Sequence, residues 1–300
     1  MKMYLPIWFY IGVLIIISLV IGIVFRVDFF LNWATPVFWT GYILVVDGVV
    51  YSFKGKSFVF YIGFPIVFLL SIFVWWFFEW TNIFLSNWHY HNLPDLLTRY
   101  IGYLWAFGTI IPAILLTYSL VLVITRDVKI EFHRFQVTNL LLGAMILLGL
   151  FFLLLPIVPF SMKYLDRSAD PELFFWLKWL GDVKYSEYMA FAVWLSVFLI
   201  LDPINYLMKK PSILGSIEKG NYKVILALSV AGIVCGVFWE LVNWFAVIRW
   251  TYNVPILPQV KIFEMPILGY LGFIAFAWEI YDIVSFVFRS AIVRVQEWFV

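Results

Sequence analysis

Apolar residues in this chain come in long runs broken by short polar connections. A helix needs about 20 predominantly apolar residues to cross the hydrocarbon layer of a bilayer. Eight runs approach that length: 4–25, 36–53, 58–85, 100–124, 137–159, 187–207, 222–247 and 265–288. The second and sixth are short, and each carries an aspartate, Asp47 and Asp202. The first run, from Tyr4 to Phe25, is longer than the apolar core of a signal peptide. It ends at Arg26 without a small-residue cleavage site, so it predicts an uncleaved first transmembrane helix. The longest connection, 160–186, holds several charges together with Trp176 and Trp179, and predicts an interfacial helix. The pattern therefore predicts an all-α polytopic membrane protein of about eight transmembrane helices.

Composition narrows the function classes. Of 300 residues, 64% are hydrophobic and only 13% charged, against about 45–50% and about 25% in ordinary soluble domains. Mean hydropathy is +0.98. This excludes a soluble enzyme, a disordered chain, a secreted disulfide scaffold and a nucleic-acid binder. The net charge of +2 indicates no charged partner, and the partner that composition does imply is the lipid bilayer. Cys235 is the single cysteine, so no intramolecular disulfide can form. If successive runs cross in alternate directions, twelve Lys and Arg fall on one side, Lys54, Arg126 and Lys209 among them, and eight on the other, including Arg26, Arg99 and Arg249. The excess predicts a plasma (inner) membrane protein with both termini in the cytoplasm.

The chain also repeats itself. Phe78-Glu79-Trp80-Thr81-Asn82 and Trp239-Glu240-Leu241-Val242-Asn243 both read aromatic-Glu-x-x-Asn, 161 residues apart. Trp88-His89-Tyr90 and Trp250-Thr251-Tyr252 follow at an offset of 162, then Pro94 and Pro255. Gly102-Tyr103-Leu104 matches Gly269-Tyr270-Leu271 at 167, and upstream Asp47, Tyr51 and Lys54 match Asp202, Tyr206 and Lys209 at 155. One match would mean little. Five in the same order predict a duplication of four helices, residues 1–135 and 136–300, within a single membrane domain. Four is even, so both halves would insert the same way round, as parallel repeats about an axis along the membrane normal.

Candidate chemistry lies in the acids at membrane depth. Six fall inside the runs: Asp47, Glu79, Asp202, Glu240, Glu279 and Asp282. An Asp at a helix centre costs about 2.5–3.5 kcal/mol on insertion scales. No Lys or Arg stands in the interior of the runs to neutralise them; Lys223 lies at the very start of one. Asp47, Asp202 and Asp282 each precede a basic residue by seven positions (Lys54, Lys209, Arg289), two turns on the same face. They are expected near the cytoplasmic surface, within reach of water or of a snorkelling Lys. Glu79 with Asn82, and Glu240 with Asn243, share a helix face at a spacing of three. Gly232, Gly236 and Glu240 recur every fourth residue, which turns Glu240 toward a closely packed neighbour. Glu279 lies deepest, in the last run, where the first half has Pro112.

The outer loop His89-Tyr90-His91 with Asp95 could bind a metal only with a ligand from elsewhere. Its second copy has no histidine, so these aromatics are expected to form the interfacial belt and no metal is expected. No P-loop, Rossmann glycine pattern, nucleophile elbow, His-Glu-x-x-His or Cys-x-x-Cys occurs. Nothing in the sequence names a cofactor.

The order Trp239-Glu240, Trp250-Thr251-Tyr252-Asn253, Met265-Pro266-Ile267 and Trp278-Glu279 resembles the layout of membrane lycopene cyclase domains and related carotenoid-modifying proteins. The resemblance covers residues 238–280, with a fainter echo at 78–112. That family's paired glutamates after the proline would fall near Leu268 and Gly269, which are not acidic. What the resemblance implies is therefore a membrane helical bundle acting on a long isoprenoid by protonation, hydration or isomerisation, not by cyclisation. Three functions are expected in order. The first is binding of a lipophilic, isoprenoid-type small molecule, with acid chemistry on it at Glu240 and Glu279. Glu79, Asn82, Asn243, Trp250 and Tyr252 would surround it. The second is proton-coupled transport of a small solute or ion, and the third a non-catalytic subunit with membrane-protein partners.

Overall fold

The computed structural model describes residues 4–130, 132–157 and 187–288. In chain order the helices are α1 (Ile7–Val24), the short α2 (Asp28–Asn32), α3 (Ala34–Lys54), α4 (Phe64–Leu85), α5 (Leu96–Gly108), α6 (Ile110–Ile124) and α7 (Asn139–Leu154). They continue with α8 (Ala190–Leu207), the short α9 (Ile213–Glu218), α10 (Lys223–Phe245) and α11 (Tyr270–Val287). Among the described residues, seven segments are helical, long and apolar enough to cross a membrane. They are α1, α3, α4, α5 with α6, α8, α10, and α11 with the 3-10 turn before it. The chain is thus a multi-pass, mainly helical membrane protein. Helix α7 is apolar but only 16 residues long. The end of the run 137–159 and the expected interfacial helix at 160–186 lie outside the described residues.

Small residues set the closest helix contacts. A Cβ on Gly12 of α1 would stand 2.7 Å from the carbonyl oxygen of Gly41 in α3, and one on Gly232 of α10 would stand 2.3 Å from that of Phe273 in α11. Without a hydrophobic drive between helices in lipid, such backbone approach supplies the dispersion contact that holds them together. As the spacing predicts, Glu240 faces this packed interior, with 0% of its surface exposed.

Two expectations need correcting. The run 100–124 is not one helix. It starts at Leu96, where Asp95 caps the N–H groups of Leu97 and Thr98, and breaks at Thr109. Pro112 has no N–H to continue the ladder. The Ser71 hydroxyl of α4 bridges the break, donating to the Phe107 carbonyl at 2.5 Å and accepting from the Ile111 N–H at 3.0 Å. Nor do the aspartates reach an aqueous surface: Asp47, Asp202 and Asp282 are all 0% exposed. Asp47 accepts from the N–H groups of Phe58 (2.6 Å) and Val59, the Ser57 hydroxyl (2.6 Å) and the Trp8 indole (3.0 Å). Asp202 accepts from the N–H groups of Ile213 (2.5 Å) and Leu214 (2.9 Å). Asp47 and Asp202 thus bind the segments that follow their own helices. Buried backbone N–H groups left without a helical partner demand an acceptor, and these carboxyls supply it.

Two short strands complete the fold. β1 (Trp88–His91) follows α4 and β2 (Arg249–Tyr252) follows α10. They pair antiparallel, with Trp88 opposite Tyr252, His89 opposite Thr251 and Tyr90 opposite Trp250. The ribbon thus joins the ends of α4 and α10. A second two-strand pair, β3 (Lys261–Ile262) with β4 (Met265–Pro266), precedes α11.

Candidate functional site

The glutamates belong to two matching clusters under the ribbon. In the first, Glu79 Oε1 accepts from the Tyr90 hydroxyl at 2.5 Å, the Trp75 indole at 2.8 Å and the Trp88 indole at 3.3 Å. In the second, Glu240 Oε1 accepts from the Tyr252 hydroxyl at 2.7 Å, and that hydroxyl accepts from the Trp250 indole at 2.6 Å. The other oxygen, Glu240 Oε2, is buried with no hydrogen-bond partner.

The asparagines hold this geometry. Asn82 accepts from the N–H groups of Asn87 (2.8 Å) and Trp88 (3.2 Å) and donates to the Trp88 carbonyl (2.8 Å). Asn243 accepts from the Trp250 N–H (2.9 Å) and donates to the Trp250 carbonyl (2.8 Å). Each Asn lies one helical turn beyond its Glu, at a spacing of three. It clamps the strand tryptophan on both sides. Strand side chains alternate, so the tyrosine two positions further on returns to the same face and meets the carboxyl. Loss of water around the hydroxyls raises both tyrosines well above the ordinary value of 10.0, and the adjacent Glu79 and Glu240 charges add to it. Both therefore stay protonated and act as donors through the neutral range.

Glu279 stands apart. It is 0% exposed, accepts from the Val197 N–H of α8 at 3.2 Å, and its second oxygen has no partner. One turn further along α11, Asp282 sits beside Asp202 and Glu279 with neither oxygen in a well-formed hydrogen bond.

A cavity of about 920 Å³ opens beneath the ribbon. Trp250 and Tyr252 line it, with Trp75, Trp88, Tyr90 and Trp239. Fourteen of its thirty-nine lining residues are aromatic, and Arg99 carries the only charge among them. Glu79, Asn82, Glu240, Asn243 and Glu279 do not reach its wall. Glu79 and Glu240 lie one hydroxyl behind it, through Tyr90 and Tyr252. The lining draws on α2, α3, α5, α8 and α11 as well as on the ribbon and its flanking loops. Trp75 stacks on Trp239 at 5.8 Å and Phe78 on Trp194 at 4.7 Å. Tyr90 escaped the expected site although the match of Trp88-His89-Tyr90 to Trp250-Thr251-Tyr252 marks it. Arg99 and Asn87 carry no spacing signal at all.

His91 Nε2 lies 2.7 Å from the Thr251 hydroxyl across the ribbon. Among the described residues no group of three or more His, Cys, Asp or Glu could hold a metal. Comparisons with known protein families, with curated proteins and with solved structures give no match for this chain.

Proposed function

We propose that this protein binds a lipophilic, isoprenoid-type molecule in the aromatic cavity beneath the ribbon and acts on it by acid chemistry. The observation that carries the reading is a large cavity walled by aromatic rings, with the hydroxyls of Tyr90 and Tyr252 linking that wall to the buried Glu79 and Glu240. A proton held at Glu240 passes to Tyr252 as that hydroxyl gives its own proton to a substrate double bond. The ring faces of Trp75, Trp239 and Trp250 stabilise the resulting cation. Loss of a neighbouring proton, returned through Tyr252 to the Glu240 carboxylate, completes an isomerisation; addition of water, with one of its protons returned by the same route, completes a hydration. The resemblance in order to carotenoid-modifying membrane proteins supports the isoprenoid class. Lipid and pigment extracts of cells with and without the protein test this, alongside cells carrying Glu240→Gln or Glu279→Gln. A product present with the native chain and lost in Glu240→Gln is expected. Identical profiles in all four would overturn the chemistry.

The same reading includes a duplication of four helices, with eight passes, α7 being the shortest. Its support is local. Asp47 and Asp202 each accept from N–H groups eleven and twelve residues on. Ser57 and Ser212, each ten residues beyond the aspartate, accept from the N–H three further on. The ribbon register is that of a twofold axis through the His89–Thr251 pair. The Lys and Arg count supports cytoplasmic termini in the plasma membrane, with the ribbon on the outer side.

A second reading, proton-coupled transport, rests on the unsatisfied Asp282 carboxyl beside Asp202 and Glu279. It requires pH-dependent uptake in proteoliposomes that Asp282→Asn abolishes, and uptake indifferent to that change would end it.

A further inference from the structure

The polar groups on the cavity wall are not a random sample. The lining includes no Asp or Glu. Two of its donors are buried without an acceptor: Nε of Arg99 and Nδ2 of Asn87. Arg99 spends one terminal N–H on the Pro94 carbonyl, at 3.2 Å. Among the described residues, no carboxylate lies within 4.0 Å of it. An Arg offers five N–H groups and accepts nothing. Arg99 as a whole is half-buried, but an N–H held in the wall with no partner is costly at either residue. Both costs end if an oxyanion enters the cavity.

Position agrees with this. Arg99 is the fourth residue of α5, on the order of 5 Å along the helix from its start at 1.5 Å per residue. A residue so near the start of a membrane-crossing segment suits the headgroup level, while most of the wall is rings and aliphatic side chains. At about 30 Å³ for each water-sized group, a volume of about 920 Å³ holds on the order of thirty carbon-sized groups. A free anion would need neither that volume nor that wall.

We infer that the cavity takes a lipid with an oxyanion head, a phosphate or carboxylate at the end of a long apolar chain, and that Arg99 and Asn87 hold the head. The inference rests on the lipophilic-ligand reading of this cavity and adds the headgroup to it.

The test uses the whole protein in mild detergent and three probes: geranylgeranyl phosphate, geranylgeraniol and inorganic phosphate. Indole fluorescence reports binding, since seven tryptophans line the cavity. In the native chain the phosphate-headed lipid is expected to bind at least tenfold more tightly than the alcohol. Arg99→Gln removes a charge-assisted contact and should weaken the phosphorylated lipid about ten- to a hundredfold, with the alcohol unchanged. Arg99→Lys keeps the charge without the planar fork and should fall between. An unchanged alcohol affinity also shows that the variants are folded. Equal affinity for the two lipids in the native chain would overturn the headgroup inference and leave the lipophilic cavity standing. Equal weakening of both by Arg99→Gln would do the same. Inorganic phosphate binding alone and displacing nothing would point to a free-anion site and overturn it too. If neither lipid binds, the lipophilic reading itself fails, and the headgroup with it.

Discussion

Tyr90 and Tyr252 do the same work at the two clusters, but they are not equally replaceable. Glu79 Oε1 has two indole donors besides its tyrosine, whereas Glu240 leans on Tyr252, which itself collects the Trp250 indole. Tyr252→Phe should therefore cost more than Tyr90→Phe. It strands a buried carboxyl and an indole N–H, an effect of about 1–3 kcal/mol, read as a lower unfolding midpoint in detergent. The tyrosines also set an alkaline limit. Their folded values are raised above the ordinary 10.0, so the unfolded chain sheds these protons first. Their stabilising contribution is whole below about pH 10 and falls as pH rises beyond it. Unfolding midpoints measured from pH 7 to 11 should be level and then drop, and the drop should shrink in the Tyr90→Phe, Tyr252→Phe double variant. At the acid end Asp95 behaves oppositely. Hydrogen bonds from Thr98 hold its carboxyl below the ordinary 3.8. Its cap on α5 persists above that value and is lost as pH falls through the lowered one.

At the scale of elements, close backbone contact and turn closure dominate. Gly232→Ala would drive a methyl into the Phe273 carbonyl, so α10 and α11 must separate. A loss of about 1–3 kcal/mol is expected from such overpacking. Gly143→Ala in α7 meets nothing within 4 Å and should be neutral or gain up to about 1 kcal/mol of helix propensity. Thermal unfolding of the two variants decides this. Asp202→Ala should cost about 1–3 kcal/mol for each of the two N–H groups it orphans at the start of α9, and Asp202→Asn should cost less because one acceptor remains. The membrane spans were legible because twenty apolar residues in a row have few other uses. The aspartates were misplaced because a sevenfold spacing to Lys reads as a water-facing edge. The backbone N–H groups that bind Asp47 and Asp202 sit eleven and twelve residues away, where periodicity is silent. The break at Thr109 was hidden for a similar reason: its partner, Ser71, belongs to another helix.

For the molecule as a whole, the ribbon is where the segments after α4 and α10 meet. His89 stands opposite Thr251, and the only native cysteine, Cys235, is buried. A His89→Cys, Thr251→Cys pair should therefore cross-link on mild oxidation in membranes, while His89→Cys with Asn253→Cys should not. The glutamates' burial at Glu240 followed from the four-residue glycine spacing. The cavity did not, since its wall is assembled from side chains as far apart in sequence as Asn32 and Trp278. No spacing rule connects Arg99 to Trp250. What stands or falls on this architecture is whether the aromatic cavity is a lipid site. Native mass spectrometry of the protein, purified in mild detergent and stripped stepwise of loose lipid, addresses it most directly. One tightly held isoprenoid-chained, anionic lipid per chain is the expected result, lost on Arg99→Gln. A protein that carries no lipid, or only membrane phospholipids in their bulk proportions, would contradict it.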